Sequence, residues 1–203
     1  MSSIYGEYES CLHQVMAEFR GALEAYDKKV FRETGEHIYE HFNMRIKQDQ
    51  SMREKCRKRG LPETAYSALH EMRDSIGLRI VTAFRDDIRQ IVEEIRRMDR
   101  VDVVVEKDYI RHAKPNGYRS YHMILQLTTD FPDVEGNVPG KYYVEVQIRT
   151  IAMDSWASLE HKMKYKKDIK NQELIEEELK RCADELAACD VSLQTIRNLI
   201  RDS

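Results

Sequence analysis

The apolar positions of the chain keep two different periods. Between residues 8 and 26, Tyr8, Leu12, Val15, Phe19, Ala22 and Tyr26 step by four and three, the spacing of one stripe along a helix. From 37 to 47 the period drops to two. Ile38, Phe42, Met44 and Ile46 share one face, Tyr39, His41, Asn43, Arg45 and Lys47 the other, and the alternation predicts a strand. A short basic helix over 49–59 stops at Gly60 and Pro62, and a second short helix over 63–72 leads into Asp74.

Alternation returns at 75–84, where Ile76, Leu78, Ile80 and Phe84 oppose Gly77, Arg79 and Val81. Asp86 or Asp87 then caps a helix through Met98 that turns Ile88, Ile91, Val92 and Ile95 inward. Strands follow over 101–109, 121–128 and 141–149. Pro115, Asn116 and Gly117 mark a turn between the first two, and DFPDVEGNVPG a loop between the last two. In the last strand Tyr142, Val144, Val146 and Ile148 face a core, and Tyr143, Glu145, Gln147 and Arg149 face away from it. A helix over 151–165 follows. The pattern predicts an α/β (α+β) domain: a five-stranded mixed sheet flanked by helices, with long helices at both ends.

The C-terminal segment is the most regular. Ile175, Leu179, Cys182, Leu186, Cys189, Leu193, Ile196 and Ile200 step by four and three without a miss. That is a strict heptad seam, narrower than an ordinary core-facing stripe. It fits packing against the N-terminal helix of the same chain, association between copies, or both.

Composition narrows the chemistry. With 41% hydrophobic and 34% charged residues the chain suits a folded globular protein. A net charge of -3 argues against a surface built to coat nucleic acid, so a polyanion site has to be a local basic patch. Cys11, Cys56, Cys182 and Cys189 form neither a CxxC pair nor a zinc spacing and read as small apolar filler in a reducing compartment. The opening MSSIYGEYES lacks a signal-peptide layout and no apolar run approaches a membrane span, so a cytoplasmic protein with no membrane partner is expected.

Two carboxylates stand out, Asp74 just before one strand and Glu145 within another. Around them lie Arg45, Lys47, Lys55, Arg57, Lys58, Arg79, Lys114, Arg119 and Arg149. Acids that can carry Mg²⁺ beside bases that neutralise phosphate suit a nucleoside polyphosphate. The chain has no GxxxxGK[ST] loop, no GxGxxG after a strand, no nucleophile elbow and no HExxH, which sets aside P-loop, dinucleotide, serine-hydrolase and zinc-protease chemistry.

Six motifs in order, RIKQDQS, DSIGLRI, KDYI, KPNGYRSYH, VEVQIRT and WASLEHKMKYK, resemble the synthetase domain of the RelA/SpoT family. The layout is that of its stand-alone small alarmone synthetases. The resemblance covers about 37–166 and implies a nucleotidyltransferase-like sheet. It also implies transfer of the β,γ-pyrophosphate of ATP to the 3′-hydroxyl of GDP or GTP. The division it implies is one domain over 1–203: a helical extension at 1–36, a catalytic core at 37–166 and a heptad helix at 170–203 for packing or oligomerisation. By position in the motifs, Arg45 and Arg79 are the pair that sandwiches adenine. Lys47, Ser51, Lys55 and Lys58 belong to the triphosphate. Asp74 and Glu145 hold Mg²⁺, with Glu145 able to act as general base. Tyr118 stacks on guanine, and Lys114, Arg119 and His122 flank the acceptor's phosphates and ribose. Gln147 and Arg149 support the site. Asp154 falls where the family contacts guanine; a carboxylate there accepts from N1–H and the N2 amino group, a donor pair adenine lacks. Glu160 and His161 brace the cleft or simply face solvent on a helix. A homo-oligomer, a tetramer, is implied as well. Two other functions fit the same residues: a relative that pyrophosphorylates the 3′ end of tRNA, and a non-catalytic RNA- or nucleotide-binding module.

Overall fold

A computed structural model describes residues 3–164 and 171–202. Five strands form one sheet: β1 (His41–Ile46), β2 (Ile76–Thr82), β3 (Val101–Asp108), β4 (Tyr121–Thr129) and β5 (Gly140–Thr150). Their spatial order is β1-β2-β5-β4-β3, with β2 and β5 parallel and every other pair antiparallel. The helices are α1 (Glu9–Thr34), α2 (Asp49–Lys58), α3 (Arg85–Arg97), α4 (Ile151–Lys164) and α5 (Gln172–Arg201). The mixed sheet and terminal helices are those the pattern predicts; Tyr165, the last residue of the predicted fourth long helix, lies outside the described residues. Among the described residues no helix is long and apolar enough to cross a membrane.

One face of the sheet belongs to the core. Met44, Leu78, Ile80, Met123, Leu125, Val144, Val146 and Ile148 are buried in a cluster with Leu12, Val15, Phe19 and Leu23 of α1, Met52 and Cys56 of α2, and Ile88, Ile91 and Ile95 of α3. The stripe on α1 departs from the sequence reading at its end: Leu23 is buried and Ala22 exposed. A helix of 3.6 residues per turn drifts away from a strict four-and-three pattern, so the core side continues from Phe19 to Leu23.

Three other boundaries differ for identifiable reasons. β1 begins at 41 instead of 37. The Asp27 carboxylate of α1 accepts the Ile38 N–H at 2.9 Å and contacts His37 Nδ1 at 2.8 Å, which holds this stretch against α1. The second short helix contracts to a π-turn at Ser67–Glu71, closed by the Met72 N–H on the Ser67 carbonyl. Helix α3 starts at Arg85, so neither aspartate is the N-cap. Asp87 sits in its first turn and accepts the Phe84 N–H at 3.2 Å, closing half of a capping box.

Helix α5 runs along α4 and touches α3. Leu179, Ala183, Asp190 and Arg197 are its buried positions. The regular seam is therefore split. Leu179, with Ile175 and Leu186 beside it, packs on Trp156 and Ala157 of α4, while Leu193 and Ile196 are exposed. The partner of the buried half is α4 and the turn at 114–119, a correction to the reading that α5 lies on the N-terminal helix. Cys182 and Cys189 are exposed, so only Cys56 is fully buried filler. What fastens the far end of α5 is polar: Arg197 donates to Asp87 at 2.5 Å and to Glu36 at 2.6 Å, and Thr150 donates to the buried Asp190 at 2.6 Å.

Removing one partner of a buried ion pair strands the other. Arg197→Ala should therefore lower stability by about 3 kcal/mol or more, because it leaves Asp87 buried without its cation. Urea unfolding followed by circular dichroism measures this; a loss no larger than that of a surface arginine would mean the pair does not hold α5.

Candidate functional site

The face of the sheet turned away from the core carries the chemistry, and strand register arranges it in rows. Arg45 on β1 pairs with Gly77 on β2, and Gly77 with Glu145 on β5. One step along, Asn43, Arg79, Gln147, His122 and Lys107 line up across all five strands. Because strand side chains alternate, members of a row share a face. A cleft of about 390 Å³ opens over the rows, lined by His41, Asn43, Arg45, Gly77, Leu78, Arg79, Glu145, Gln147 and Asp154. Arg45, Arg79, Glu145, Gln147 and Asp154 thus come together as residues of one cavity. His41 and Asn43 belong to it too. The alternation had placed both on the polar face of β1, but nothing in their type marked them as lining residues.

Asp74, three residues before Gly77, is not among the residues that line this cleft. Its Oδ2 receives the ammonium groups of Lys47 and Lys55, the latter at 2.5 Å. Burial opposes its ionisation, but the two lysines outweigh burial and hold the carboxyl below the usual aspartate value. Its Oδ1 is buried and has no partner among the described residues. A buried carboxylate oxygen left unpaired costs free energy unless something occupies it. Glu145 lines the cleft and Asp74 does not, and among the described residues no group of three or more His, Cys, Asp and Glu is placed to hold a metal ion. Lys47 is placed by backbone: its N–H bonds the Ser75 carbonyl at 2.8 Å, and its carbonyl accepts from the buried Tyr5 hydroxyl at 2.7 Å. Ser51, Lys55 and Lys58 follow at helical spacing on one face of α2, and of the three Lys55 reaches Asp74. Ser51 and Lys58 are exposed.

The turn at 114–119 forms the other flank. The Lys114 ammonium lies 4.7 Å from the ring centroids of both Tyr109 and Tyr118. The Tyr118 hydroxyl is 2.8 Å from His122 Nε2 and accepts from Arg149 at 2.8 Å. Burial, then the charges of Arg149, Lys114 and Lys107, push the His122 pKa down to about 4. Tyr109 was not singled out in the sequence; an aromatic directly after a strand carries no distinguishing signal.

Arg119 is the residue the structure relocates. Expected beside the acceptor's phosphates, its guanidinium instead bonds the Gly117 carbonyl at 3.1 Å, the Ala183 carbonyl at 3.2 Å and Asp184 at 2.9 Å, the last two on α5. Gly117 has φ +88°, and a Cβ there would sit 2.6 Å from the Ala183 Cβ. Trp156 Nε1 donates to the Leu179 carbonyl at 2.7 Å, and Tyr118 packs on the same Trp156–Leu179–Ala183 cluster. The turn is thus seated under α5 by contacts between residues more than sixty apart in sequence. No local pattern reports such contacts.

Several comparisons bear on this arrangement. A family model described as the region found in RelA / SpoT proteins matches residues 44–170. The GTP pyrophosphokinase YwaC of Bacillus subtilis (strain 168) is 35% identical over 173 residues, 82% of this chain and 80% of that protein. The GTP pyrophosphokinase YjbM of the same organism is 30% identical over 199 residues, covering 97% and 88%. Among solved structures, small alarmone synthetase 1 from Bacillus subtilis superposes with a TM-score of 0.75 at 29% identity, covering 97% of this chain and 95% of that one. Its complex with the product pppGpp gives 0.76 at 29% identity, covering 95% and 94%. A match over more than half the sequence, together with relatives aligned over most of both lengths, establishes that this chain belongs to the RelA/SpoT family.

Proposed function

We infer that this chain is a GTP pyrophosphokinase, an alarmone synthetase that transfers pyrophosphate from ATP to the 3′-hydroxyl of GDP or GTP. The observation that carries the reading is the one cleft in which Arg45, Arg79 and Glu145 meet, with Asp74, holding two lysines, three residues before the Gly77 that also lines it. Its relatives named GTP pyrophosphokinase support the reaction over the tRNA and non-catalytic alternatives.

Arg45 and Arg79 hold adenine between guanidinium planes, which stack well on an aromatic base. Lys47, Lys55, Lys58 and Ser51 take the triphosphate. Asp74 and Glu145 hold a divalent cation, Mg²⁺, which neutralises and polarises the polyphosphate when bound; the orphaned Asp74 Oδ1 fits that demand. Tyr118 stacks on the acceptor's guanine, Lys114 lies near its phosphates, and Arg119 acts by holding the turn on α5. Glu145 takes the proton of the 3′-hydroxyl. The freed oxygen attacks the β-phosphorus of ATP, the bond from that phosphorus to the α–β bridging oxygen breaks, and AMP leaves carrying the bridging oxygen. The product is ppGpp from GDP and pppGpp from GTP. His122 is neutral at working pH, so it hydrogen-bonds without carrying charge. The exposed Leu193 and Ile196 of α5 continue a heptad seam whose other half is buried, and we assign them to contact with a second copy of the chain.

Labelled ATP and Mg²⁺ incubated in parallel with GDP, GTP and deacylated tRNA should give pyrophosphorylated guanine nucleotide and AMP, and leave tRNA unlabelled. Glu145→Gln should lower turnover by about 10²–10⁴-fold and Asp74→Asn should show no turnover; wild-type turnover in either variant removes that residue from the chemistry. Asp154→Ala should raise KM for the guanine nucleotide more than for ATP, and an equal rise would exclude guanine contact.

The His122 environment gives a pH signature. Well above pH 6.5 the ring is neutral folded or unfolded; as pH falls from there through 6.5 to about 4 the unfolded chain binds a proton that the folded ring refuses, so this group costs stability across that window. Urea unfolding should show wild type losing more stability than His122→Gln across it, and imidazole NMR should place the titration near 4. For the oligomer, light scattering should show Ile196→Asp reducing the mass of the assembly; Leu186 is a poorer probe because it packs within the α4–α5 cluster.

A further inference from the structure

An unbroken line of polar contacts crosses from one nucleotide subsite to the other. The Asp154 Oδ1 is its shared atom, accepting from Arg149 Nη1 at 2.9 Å and lying 3.5 Å from Arg79 Nη1. Arg149 Nη2 donates onward to the Tyr118 hydroxyl at 2.8 Å and to Gln147 Oε1 at 2.9 Å, and that hydroxyl meets His122. The same guanidinium lies 5.2 Å from the Tyr118 ring centroid. Arg149 is 5% exposed, and its Nε is buried with no partner among the described residues. Arg79, by contrast, is 44% exposed along its side chain.

Resting on the assignment of Arg79 to adenine and Tyr118 to guanine, we propose that Arg149 is a positioning residue that couples the two sites, with Asp154 divided between them. In the free protein Asp154 favours Arg149, whose guanidinium is then drawn up beside the aromatic ring the acceptor needs. Adenine packing on Arg79 removes water from the Arg79–Asp154 pair and strengthens it, since ion pairs deepen as the local dielectric falls. The carboxylate shifts toward Arg79. Arg149, relieved of that partner, can move from the Tyr118 ring and turn its unused donor toward an acceptor oxygen. ATP binding thereby prepares the guanine site, and by linkage the acceptor tightens ATP by the same factor.

Isothermal titration of GDP, in Mg²⁺, with and without the ATP analogue AMPCPP reads the coupling directly. Wild type should bind GDP at least about fivefold more tightly with AMPCPP present, and AMPCPP should gain equally from GDP. Tyr118→Phe keeps the ring and removes only the hydroxyl link. Arg149→Lys keeps the charge but cannot serve Asp154, Tyr118 and Gln147 with one planar fork. In both the coupling factor should fall to about one. A wild type that binds both nucleotides and transfers pyrophosphate without positive coupling overturns the proposal and leaves the pyrophosphokinase reading standing. Coupling that survives unchanged in both variants overturns it as well. Failure of wild type to bind either nucleotide would instead remove the reading on which the proposal rests.

Discussion

The parallel pairing of β2 with β5 is the constraint on which the site depends. It sets Gly77 opposite Glu145 and Arg79 opposite Gln147. A slip of one residue would turn every one of these side chains to the other face, sending Glu145 into the core and Val146 into the cleft. The register is held because the inward set, Ile76, Leu78 and Ile80 against Val144, Val146 and Ile148, is fully or almost fully buried. Glycine at 77 contributes by lacking bulk: the nearest atom to a Cβ there is the Arg45 carbonyl oxygen at 4.0 Å, so a side chain would meet no backbone clash and would project over the Glu145 row instead.

A second constraint acts at right angles to the first. β1 and β2 carry Arg45 and Arg79 of the cleft, whereas Tyr118 hangs on a turn whose conformation depends on α5. Gly117, Arg119 and Tyr118 all meet that helix or its cluster, and α5 is tied in turn to α3 by Arg197 and to the end of β5 by Asp190. The C-terminal helix therefore fixes the conformation of the turn that carries Tyr118.

Much of this was legible without coordinates. The five strands fall where alternation put them, and Glu145, Gln147 and Arg149 stand on the face opposite Val144 and Val146 as period two requires. Asp74 precedes β2 and Arg79 lies on it. Where the reading failed, a tertiary contact had overridden a local rule. Asp27 holds residues 37–38 against α1 and shortens β1, and Arg119 is drawn to the Ala183 carbonyl and Asp184; only the exchange of Ala22 for Leu23 has a local cause, the 3.6-residue helical period.

The amino-acid sequence by itself determined which residues could share a face, because strand and helix periods are properties of the local backbone. It also determined the family, because six motifs keep their order. Only the tertiary structure decided which faces meet: that Asp154 stands between Arg79 and Arg149, that Tyr118 sits under α5, and that the seam of α5 is buried along one half and exposed along the other. Those outcomes rest on contacts between residues far apart in the chain, and a short charged or aromatic side chain selects its partner by geometry and burial, which no spacing along the sequence encodes.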